Sequence, residues 1–376
     1  MKAGQIRGIE IKLKFSTILV VLLVAFYAGT LYIDLVPDIS LIEVVLVGLA
    51  NGVILLGSIL LHEIAHSIYA QKDGLEVSEI ELHIFGGVSK IKEEPRTPKS
   101  ELIISGVGPL TSLILGFGSL GFLFLYPFAL PSFVSFTLFY SGLSNALLGA
   151  FNMIPAFPMD GGRVLRSILW QKRKDLISAT KTASKVGTFF GYGFIAFGVV
   201  QMILLGALNG IWLLFIGTFV ISSAKNALTQ TLYQIQLSAI NAKDLIRVPK
   251  VFIPFDMTIE EAIHRYFMVY RYPYFPVIEG GLIVGIVHMD DIKTIPVDVR
   301  HRYIIGYVMR KISDFPQIHG EESGKQVLDI LNEMGDQPHI VIVEDEQKRL
   351  AGFIGTEDLV SALKYADLMS KQKMPS

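Results

Sequence analysis

The chain has 376 residues, 51% of them hydrophobic, and its mean hydropathy of +0.51 is too high for an ordinary soluble protein of this length. A formal net charge of −1 gives no indication of a nucleic-acid partner. Cysteine is absent, which excludes disulfides and thiolate metal ligands, so only histidine and carboxylate side chains remain to hold a soft or borderline metal.

Long apolar segments are confined to the first 225 residues, which we interpret as one membrane domain, 1–225. A helix that crosses a bilayer core needs about 20 apolar residues. Six segments fit this length: 16–33, 41–70, 101–127, 132–153, 186–206 and 208–225. The basic segment 1–14 lacks a clear small-residue cleavage site after it, so we expect it to be retained.

The second apolar segment contains His62 and His66, one helical turn apart, with Glu63 beside them. On a helix both imidazoles lie on one face and can bind a single zinc ion, and Glu63 can take a proton from a metal-bound water. Ionisable side chains at membrane depth are costly and usually functional. The alternative is a chance pattern without a metal, which the apolar flanks disfavour.

Residues 79–92 alternate polar and apolar side chains around Gly86 and Gly87, which predicts a β-hairpin with a Gly-Gly turn. We expect this hairpin to associate with the membrane near the active site. There Phe85, Gly86 and Gly87 would offer an edge strand to the substrate. The alternative is an ordinary surface hairpin, and His83 is better interpreted as a hairpin residue than as a metal ligand.

The third and fourth segments carry small and polar residues at helical spacing. In the third, a stripe of small residues favours close packing against another helix. This stripe is Ser105, Gly108, Ser112, Gly116 and Ser119. In the fourth, Ser141, Asn145 and Asn152 share one face, and a buried asparagine there either bonds a neighbouring helix or contacts a substrate.

Catalytic zinc usually has three protein ligands and one open position, so the two histidines require a third ligand. The best candidate is Asp160, in the segment NMIPAFPMDGGR at residues 152–163. Flanked by Pro158 and Gly161, it is expected on a tight, stiff turn just past the fourth helix. An aspartate before glycine is by itself an ordinary turn residue. Together with the histidines, Asp160 becomes the better candidate for a ligand.

The two motifs together resemble those of the site-2 protease family of intramembrane zinc metalloproteases. The matching residues are His62, Glu63 and His66 for HExxH, and Asn152, Pro155, Asp160 and Gly161 for NxxPxPxxDG. Met159 stands where leucine is common before the aspartate. The resemblance covers roughly residues 10–225, and the pairing of both motifs on two apolar segments makes it specific.

This resemblance implies hydrolysis of peptide bonds in a membrane-spanning protein substrate, which must unwind locally because a helix hides its own carbonyl groups. It also places Gly106–Pro109 against the zinc helix. The implied site comprises His62, His66 and Asp160 as zinc ligands, Glu63 as catalytic base, and Asn152 and Asn145 as contacts to the substrate or transition state.

The distribution of basic residues predicts the orientation of the helices. Lys and Arg cluster in 1–14, 72–99 and 163–185, whereas the connections 31–40, 126–131 and 206–210 contain neither. We therefore expect a multi-pass protein of the plasma membrane, with its N-terminus and C-terminal half in the cytoplasm. Both motifs then lie near the cytoplasmic face of the membrane.

After Ile221 the chain becomes polar, and we expect a linker at 226–242. Residues 243–365 then contain a weak repeat with copies at 243–298 and 306–365, followed by a tail at 366–376. Each copy has an amphipathic helix, a strand–turn–strand unit and a helix-opening aspartate, Asp291 or Asp358.

The repeats resemble a tandem pair of cystathionine-β-synthase (CBS) domains, a module that often binds adenine nucleotides. The resemblance implies contacts of ATP or AMP with Asp291, Asp358 and Thr356, and a homodimer formed through the pair. The hydroxyl position of the family motif holds His288 in one copy and Gly355 in the other. The alternative is a pair that only folds and dimerises.

The predicted fold is an α-helical polytopic membrane domain of about six transmembrane helices with a membrane-associated β-hairpin, followed by a soluble α/β tandem CBS domain pair. Three other functions fit parts of this pattern: a soluble-type zinc peptidase with an anchor, a nucleotide-regulated ion transporter, and a catalytically silent binder of membrane segments. The HExxH within a span disfavours the first, and Glu63 between two ligand histidines favours hydrolysis over the other two.

Overall fold

The computed structural model describes residues 2–83, 86–91, 93–126, 128–246, 251–334, 339–345, 347 and 350–363, without the side chains of 207–209. It divides the chain into two compact units, Met1–Thr231 and Leu232–Ser376. The division falls within one helix, Ala207–Ser238. Each unit has its own hydrophobic core and is described separately.

Helices account for most of the first unit. They are α1 Ser16–Leu35, α2 Leu41–Lys72, α3 Pro98–Leu125, α4 Ser132–Asn152, α5 Asp160–Arg173, α6 Leu176–Leu205 and α7 Ala207–Ser238. Within the described ranges, six are long and apolar enough to cross a membrane, and the short α5 is the exception.

The helix boundaries differ from the predicted segments for local reasons. The segment predicted at 101–127 is α3, which begins at Pro98 because Thr97 caps it by accepting a hydrogen bond from the Ser100 N–H. It ends before Tyr126, since a residue that precedes a proline is sterically excluded from helical backbone. The segment predicted at 186–206 is α6, which starts earlier, at Leu176, where Asp175 provides the cap.

A four-stranded sheet completes the first unit, with β1 Lys2–Ile6, β2 Ile9–Leu13, β3 Val77–His83 and β4 Gly86–Ile91 in that order. Strand β2 pairs parallel to β3, and the other pairs are antiparallel. The predicted hairpin is present, but the N-terminal hairpin that extends it was not predicted.

Gly86 and Gly87 do not form the predicted turn. Both belong to β4, where Gly86 pairs with His83 and Gly87 with Leu82. Gly86 has φ +120°, a backbone conformation that glycine adopts readily and other residues rarely do. Phe85 lies outside the described residues.

The two faces of the sheet differ in polarity. Buried Ile9, Ile80 and Leu82 pack against Ala70 of α2 and Ile104 of α3. On the charged face Lys12 and Lys90 flank Glu79, and their hydrogen bonds lower the pKa of Glu79 to about 2. The apolar face therefore anchors the sheet on the C-terminal half of α2, the half that carries the histidines.

The second unit contains two small sheets and short helices. The sheets have the orders β5-β6-β7-β8 and β11-β10-β9. Their strands are β5 Ile253–Pro254, β6 Tyr274–Glu279, β7 Leu282–His288, β8 Arg310–Lys311, β9 Gln317–His319, β10 Ile340–Glu344 and β11 Leu350–Gly355. The α-helices are α8 Ala242–Leu245, α9 Ile259–Ala262, α10 Met268–Tyr270, α11 Met289–Lys293, α12 Ile305–Val308, α13 Gly324–Glu333 and one described over 356–363. A π-helical segment, Ile263–Phe267, joins α9 to α10, and 3₁₀ turns occupy Val297–Val299 and Ile312–Asp314.

Each repeat of the second unit has its own core. In the first repeat Ile259 and Phe267 pack against Phe275 and Val287 of the strand pair. In the second, Val327 and Leu331 of α13 belong to the corresponding cluster under β10 and β11. The predicted order of amphipathic helix, strand pair and helix is therefore present twice.

Candidate metal centre and active site

The two histidines of α2 point into the first unit rather than outward. His62 is 4% exposed and His66 8% exposed, although the adjacent Leu61 is 47% exposed. Their rings lie edge to face, with centroids 4.8 Å apart. The i, i+4 spacing in a single helix therefore produces the shared face that the sequence predicts.

Asp160 lies 98 residues after His62 in the sequence, and its side chain contacts both histidines. It is the first residue of α5, directly after the segment 153–159, and not a residue of a free-standing turn as the sequence suggests. Gly161 and Gly162 explain the difference, because they let the start of α5 pack closely on that segment. A Cβ on Gly161 would lie 2.3 Å from the Met153 carbonyl oxygen.

The distances among these three side chains fit a zinc ion. Asp160 Oδ2 lies 3.2 Å from His62 Nε2 and 3.3 Å from His66 Nε2. Ligand atoms of a tetrahedral zinc site, each about 2.0–2.1 Å from the ion, lie roughly 3.4 Å from each other. These three residues are also the one group of potential metal ligands found in the described part of the chain.

The carboxyl group of Asp160 is held in its anionic form. Burial by itself would raise the pKa of Asp160, but hydrogen bonds with His62 and His66 outweigh it and leave the pKa well below its ordinary value. A carboxylate must be ionised to bind a metal, so Asp160 is in the form that a metal ligand needs.

Helix α3 orients both imidazoles through contacts with their Nδ1 atoms. His66 Nδ1 lies 2.6 Å from the Ile104 carbonyl oxygen, to which it donates, and His62 Nδ1 lies 3.0 Å from Ser112 Oγ. With a metal in place of the Nε2 protons, a neutral imidazole that donates from Nδ1 would direct its Nε2 lone pair to the side that faces Asp160. The Ile104 carbonyl can only accept, so it favours this tautomer at His66, and the contact with Ser112 fixes the rotation of the His62 ring.

The side chain of Glu63 faces the sheet, whereas the two histidines face α3. Its Oε2 accepts a 2.8 Å hydrogen bond from Ser89 Oγ of β4, and Ser67 donates to Ser89 in turn. Gly87 lies against the same side chain, since a Cβ there would be 2.3 Å from Glu63 Cγ. The predicted catalytic base is therefore held by the strand that is predicted to bind substrate.

The two predicted asparagine contacts have different surroundings. Asn145 is buried, and its Nδ2 donates to Ser58 Oγ and to the Ser141 carbonyl. Its Oδ1 has no hydrogen-bond partner in the part of the chain that the structure describes. Asn152, the last residue of α4, is less buried and donates to the Leu148 carbonyl of its own helix.

Comparison with known proteins identifies the membrane unit. The profile of peptidase family M50 matches residues 51–136 and 128–198, and that of the CBS domain matches 242–298 and 304–365. A zinc metalloprotease of Methanocaldococcus jannaschii, MJ0392, is 30% identical over 85% of this chain and 87% of its own. The chain belongs to peptidase family M50.

One further relative and one solved structure are similar to the chain. Rip3 of Mycobacterium tuberculosis is 28% identical to this M50 peptidase over 91% of this chain and 87% of its own. A solved structure, the site-2 protease from Methanocaldococcus jannaschii, has 30% sequence identity and a TM-score of 0.41. It covers 61% of this chain and 94% of that one.

The family confirms several predictions. The resemblance to site-2 proteases, the tandem CBS domains and the metalloprotease class are correct. So is the fold class, an apolar helical unit with six candidate spans followed by an α/β CBS unit. The chain is thus a multi-pass membrane peptidase, whereas the membrane association of the β3–β4 hairpin stays a prediction.

The predicted nucleotide contacts lie at helix starts in the CBS unit. Asp291, in the first turn of α11, is paired with Arg310, whose Nη2 lies 2.8 Å from Asp291 Oδ1. Before it, His288 caps the helix through Nδ1, and burial lowers the pKa of this imidazole. In the second repeat Asp358 accepts a 2.9 Å hydrogen bond from the Gly355 N–H, and Thr356 is exposed.

Some functional contacts are absent from the sequence prediction. Ser112 appears there only as a member of a packing stripe, and the Ile104 carbonyl and Ser89 are not named as contacts. Gly108 appears in the stripe and in the segment that the resemblance places against the zinc helix. The spacing of Ile104, Gly108 and Ser112 by single helical turns was the available signal. It places all three on the face of α3 that meets a histidine pair with the same spacing.

We predict that Gly108→Ala abolishes tight zinc binding. A Cβ at Gly108 would lie 2.1 Å from His66 Nε2 and 2.7 Å from His62 Nε2, where the metal-binding lone pairs point. Gly106→Ala is the matched control, because a Cβ there meets nothing within 4 Å. Zinc affinity measured by chelator competition should fall by more than about 100-fold in the first variant and stay unchanged in the second.

Equal affinity in the two glycine variants would show that metal binding does not need the close approach of α3 to the histidine pair.

Proposed function

We propose that this chain is an intramembrane zinc metalloendopeptidase that hydrolyses peptide bonds in transmembrane or membrane-anchored protein substrates. The observation that carries the proposal is the convergence of His62, His66 and Asp160, with Glu63 beside them, on helices apolar enough to span a membrane. In this proposal those three residues are the zinc ligands.

Zinc, when bound, supplies Lewis-acid polarisation of a carbonyl group and makes water acidic enough to lose a proton near neutral pH. Glu63 provides the proton transfers. Its carboxylate accepts the proton of the attacking water and returns it to the amine that leaves the broken peptide bond. Ser89, which donates to Oε2, holds the carboxylate in one orientation during both transfers.

Strand β4 is proposed to bind the unwound substrate. Among the described strands it pairs with β3 alone, so its other edge can accept an added strand. Glu63 touches both Gly87 and Ser89 of this strand. A substrate backbone laid along β4 would therefore pass next to the base, and Asn152 and Asn145 of α4 are the further candidates for contact with it.

The charge pattern supports a location for the site. Basic residues after α2, in 72–99, and within and after α5, in 163–185, support a metal centre near the cytoplasmic face of the plasma membrane, with the CBS pair in the cytoplasm. We propose that the CBS pair regulates cleavage through ATP or AMP and forms a homodimer. At Asp291 a nucleotide would have to compete with Arg310.

Replacing Glu63 with Gln should lower the cleavage rate of a single-span substrate by about 10²–10⁴-fold, because an amide cannot take up the proton. Zinc content should stay at one per chain, since Glu63 is not a proposed ligand. His66→Ala combined with Asp160→Ala is the matched control and should lose both zinc and cleavage. The measurement is cleavage by the full chain in nanodiscs, with and without chelator, ATP or AMP.

Full activity of Glu63→Gln would contradict the assigned base. An unchanged zinc content in the double variant would contradict the assigned ligands. A rate that does not respond to ATP or AMP would contradict nucleotide regulation and leave the peptidase assignment untouched.

Edge pairing with β4 predicts a period of two in the backbone requirements of the substrate. Successive N–H groups of an added strand point alternately toward β4 and away from it. Single N-methyl groups along the substrate segment should therefore lower kcat/KM at every second position. Each loss should be about fivefold, corresponding to a hydrogen bond of about 1 kcal/mol. Losses that are uniform along the segment, or absent, would exclude pairing with β4.

A further inference from the structure

A charged pair is buried in the membrane unit beside the metal centre. Glu101 of α3 is 1% exposed and Arg166 of α5 is 3% exposed. Arg166 Nε donates to Glu101 Oε1 at 2.6 Å, and Arg166 Nη2 contacts the same oxygen. Neither residue is a potential metal ligand in the geometry described above, and neither belongs to the HExxH or aspartate motif.

Arg166 also contacts the segment that precedes Asp160. Its guanidinium lies over the ring of Phe157, with Cζ 5.6 Å from the ring centroid, and Phe157 is 5% exposed. Phe157 stands three residues before Asp160, and Arg166 stands six residues after it, about 9 Å along the helix axis. Arg166 therefore links the segment before Asp160 to the helix that begins at Asp160.

Glu101 is connected to His66 through the backbone of α3. It lies one helical turn before Ile104, whose carbonyl accepts the hydrogen bond from His66 Nδ1. Four contacts and two short stretches of chain thus form a closed ring. The contacts join Asp160 to His66, His66 to Ile104, Glu101 to Arg166 and Arg166 to Phe157, and the chain joins Ile104 to Glu101 and Phe157 to Asp160. The ring includes ligands from both of the separate motifs.

The energetics of buried charge indicate what the pair contributes. Removing two charges from water costs about as much as their attraction returns, so a buried pair adds little net stability compared with apolar side chains of the same size. It does impose geometry, because the planar guanidinium forms directional hydrogen bonds to one carboxylate oxygen. Glu94 and Arg163 approach the pair at 3.5 and 3.9 Å and add to the same network.

We propose that Glu101 and Arg166 are positioning residues of the metal centre. They set the distance between α3, which orients the two histidines, and the start of α5, which carries Asp160. The pair does not touch substrate or metal. It acts by holding the third ligand at the separation from the histidine Nε2 atoms that a tetrahedral ion requires. This role rests on the proposed ligand assignment.

The test separates positioning from support of the fold. Glu101→Leu combined with Arg166→Met removes both charges at once and leaves apolar side chains of similar size, so the unit is expected to fold. Zinc affinity of the full chain in nanodiscs should nevertheless fall by about 10–100-fold, as for other contacts behind metal ligands. The absorption spectrum of the Co²⁺-substituted protein should shift toward that of Asp160→Ala.

Two further variants provide the controls. Tyr32→Phe removes another buried polar contact of this unit, the hydrogen bond from Tyr32 to Glu43, which touches none of the residues in the ring. Its zinc affinity and Co²⁺ spectrum should equal those of the wild type. Arg166→Lys keeps the charge but loses the planar fork, and we expect an affinity about tenfold below wild type.

A folded double variant with wild-type zinc affinity and a wild-type Co²⁺ spectrum would overturn the proposal. If the double variant does not fold, wild-type affinity in Arg166→Lys would overturn it instead. Asp160→Ala distinguishes this failure from failure of the proposed function. If Asp160→Ala binds zinc as tightly as wild type, then the ligand assignment itself is wrong.

Discussion

The structure depends on one geometric requirement: an imidazole pair on α2 and a carboxylate at the start of α5 must meet within about 3.4 Å of one another. The separations of 3.2 and 3.3 Å meet that requirement. About a hundred residues of chain separate the two motifs. The surrounding helices therefore have to bring the ligands together, because no local turn can do so.

Helix α3 provides most of the contacts that bring the two motifs together. It lies between the two ligand-bearing elements, supplies Ile104 and Ser112 to the histidine Nδ1 atoms, and has no side chain at Gly108, where one would fill the metal position. At its N-terminal end Glu101 reaches α5 through Arg166. A single helix thus controls ring orientation, available space and the approach of the proposed third ligand, without providing a proposed ligand of its own.

The sequence predicts the parts of the site that depend on local spacing or on the chemistry of residue types. His62 and His66 share a face because they are one turn apart, and Asp160 is suggested because zinc needs a third non-thiolate ligand. The register of β4 is different. This register places Ser89 and Gly87 against Glu63. It depends on the position of the turn, and two adjacent glycines leave that position ambiguous.

Long-range packing accounts for the other omissions. Pairing of Glu101 with Arg166 joins charges 65 residues apart, and neither shows periodicity that would link it to the other. The N-terminal hairpin is different: residues 9–14 alternate apolar and polar side chains, a strand signal that was available and not used, and β2 then pairs with β3. The start of α5 at Asp160 depends on the close approach of Gly161 to the Met153 carbonyl, which composition alone does not reveal.

Zinc K-edge X-ray absorption on the full chain, compared between wild type and Asp160→Ala, tests the central claim most directly. The account predicts a four-coordinate site with two imidazoles and light-atom distances of about 2.0–2.1 Å, and the loss of one oxygen ligand in the variant. An identical spectrum in the two proteins, or a site with fewer than two imidazoles, would contradict the convergence of His62, His66 and Asp160 on one ion.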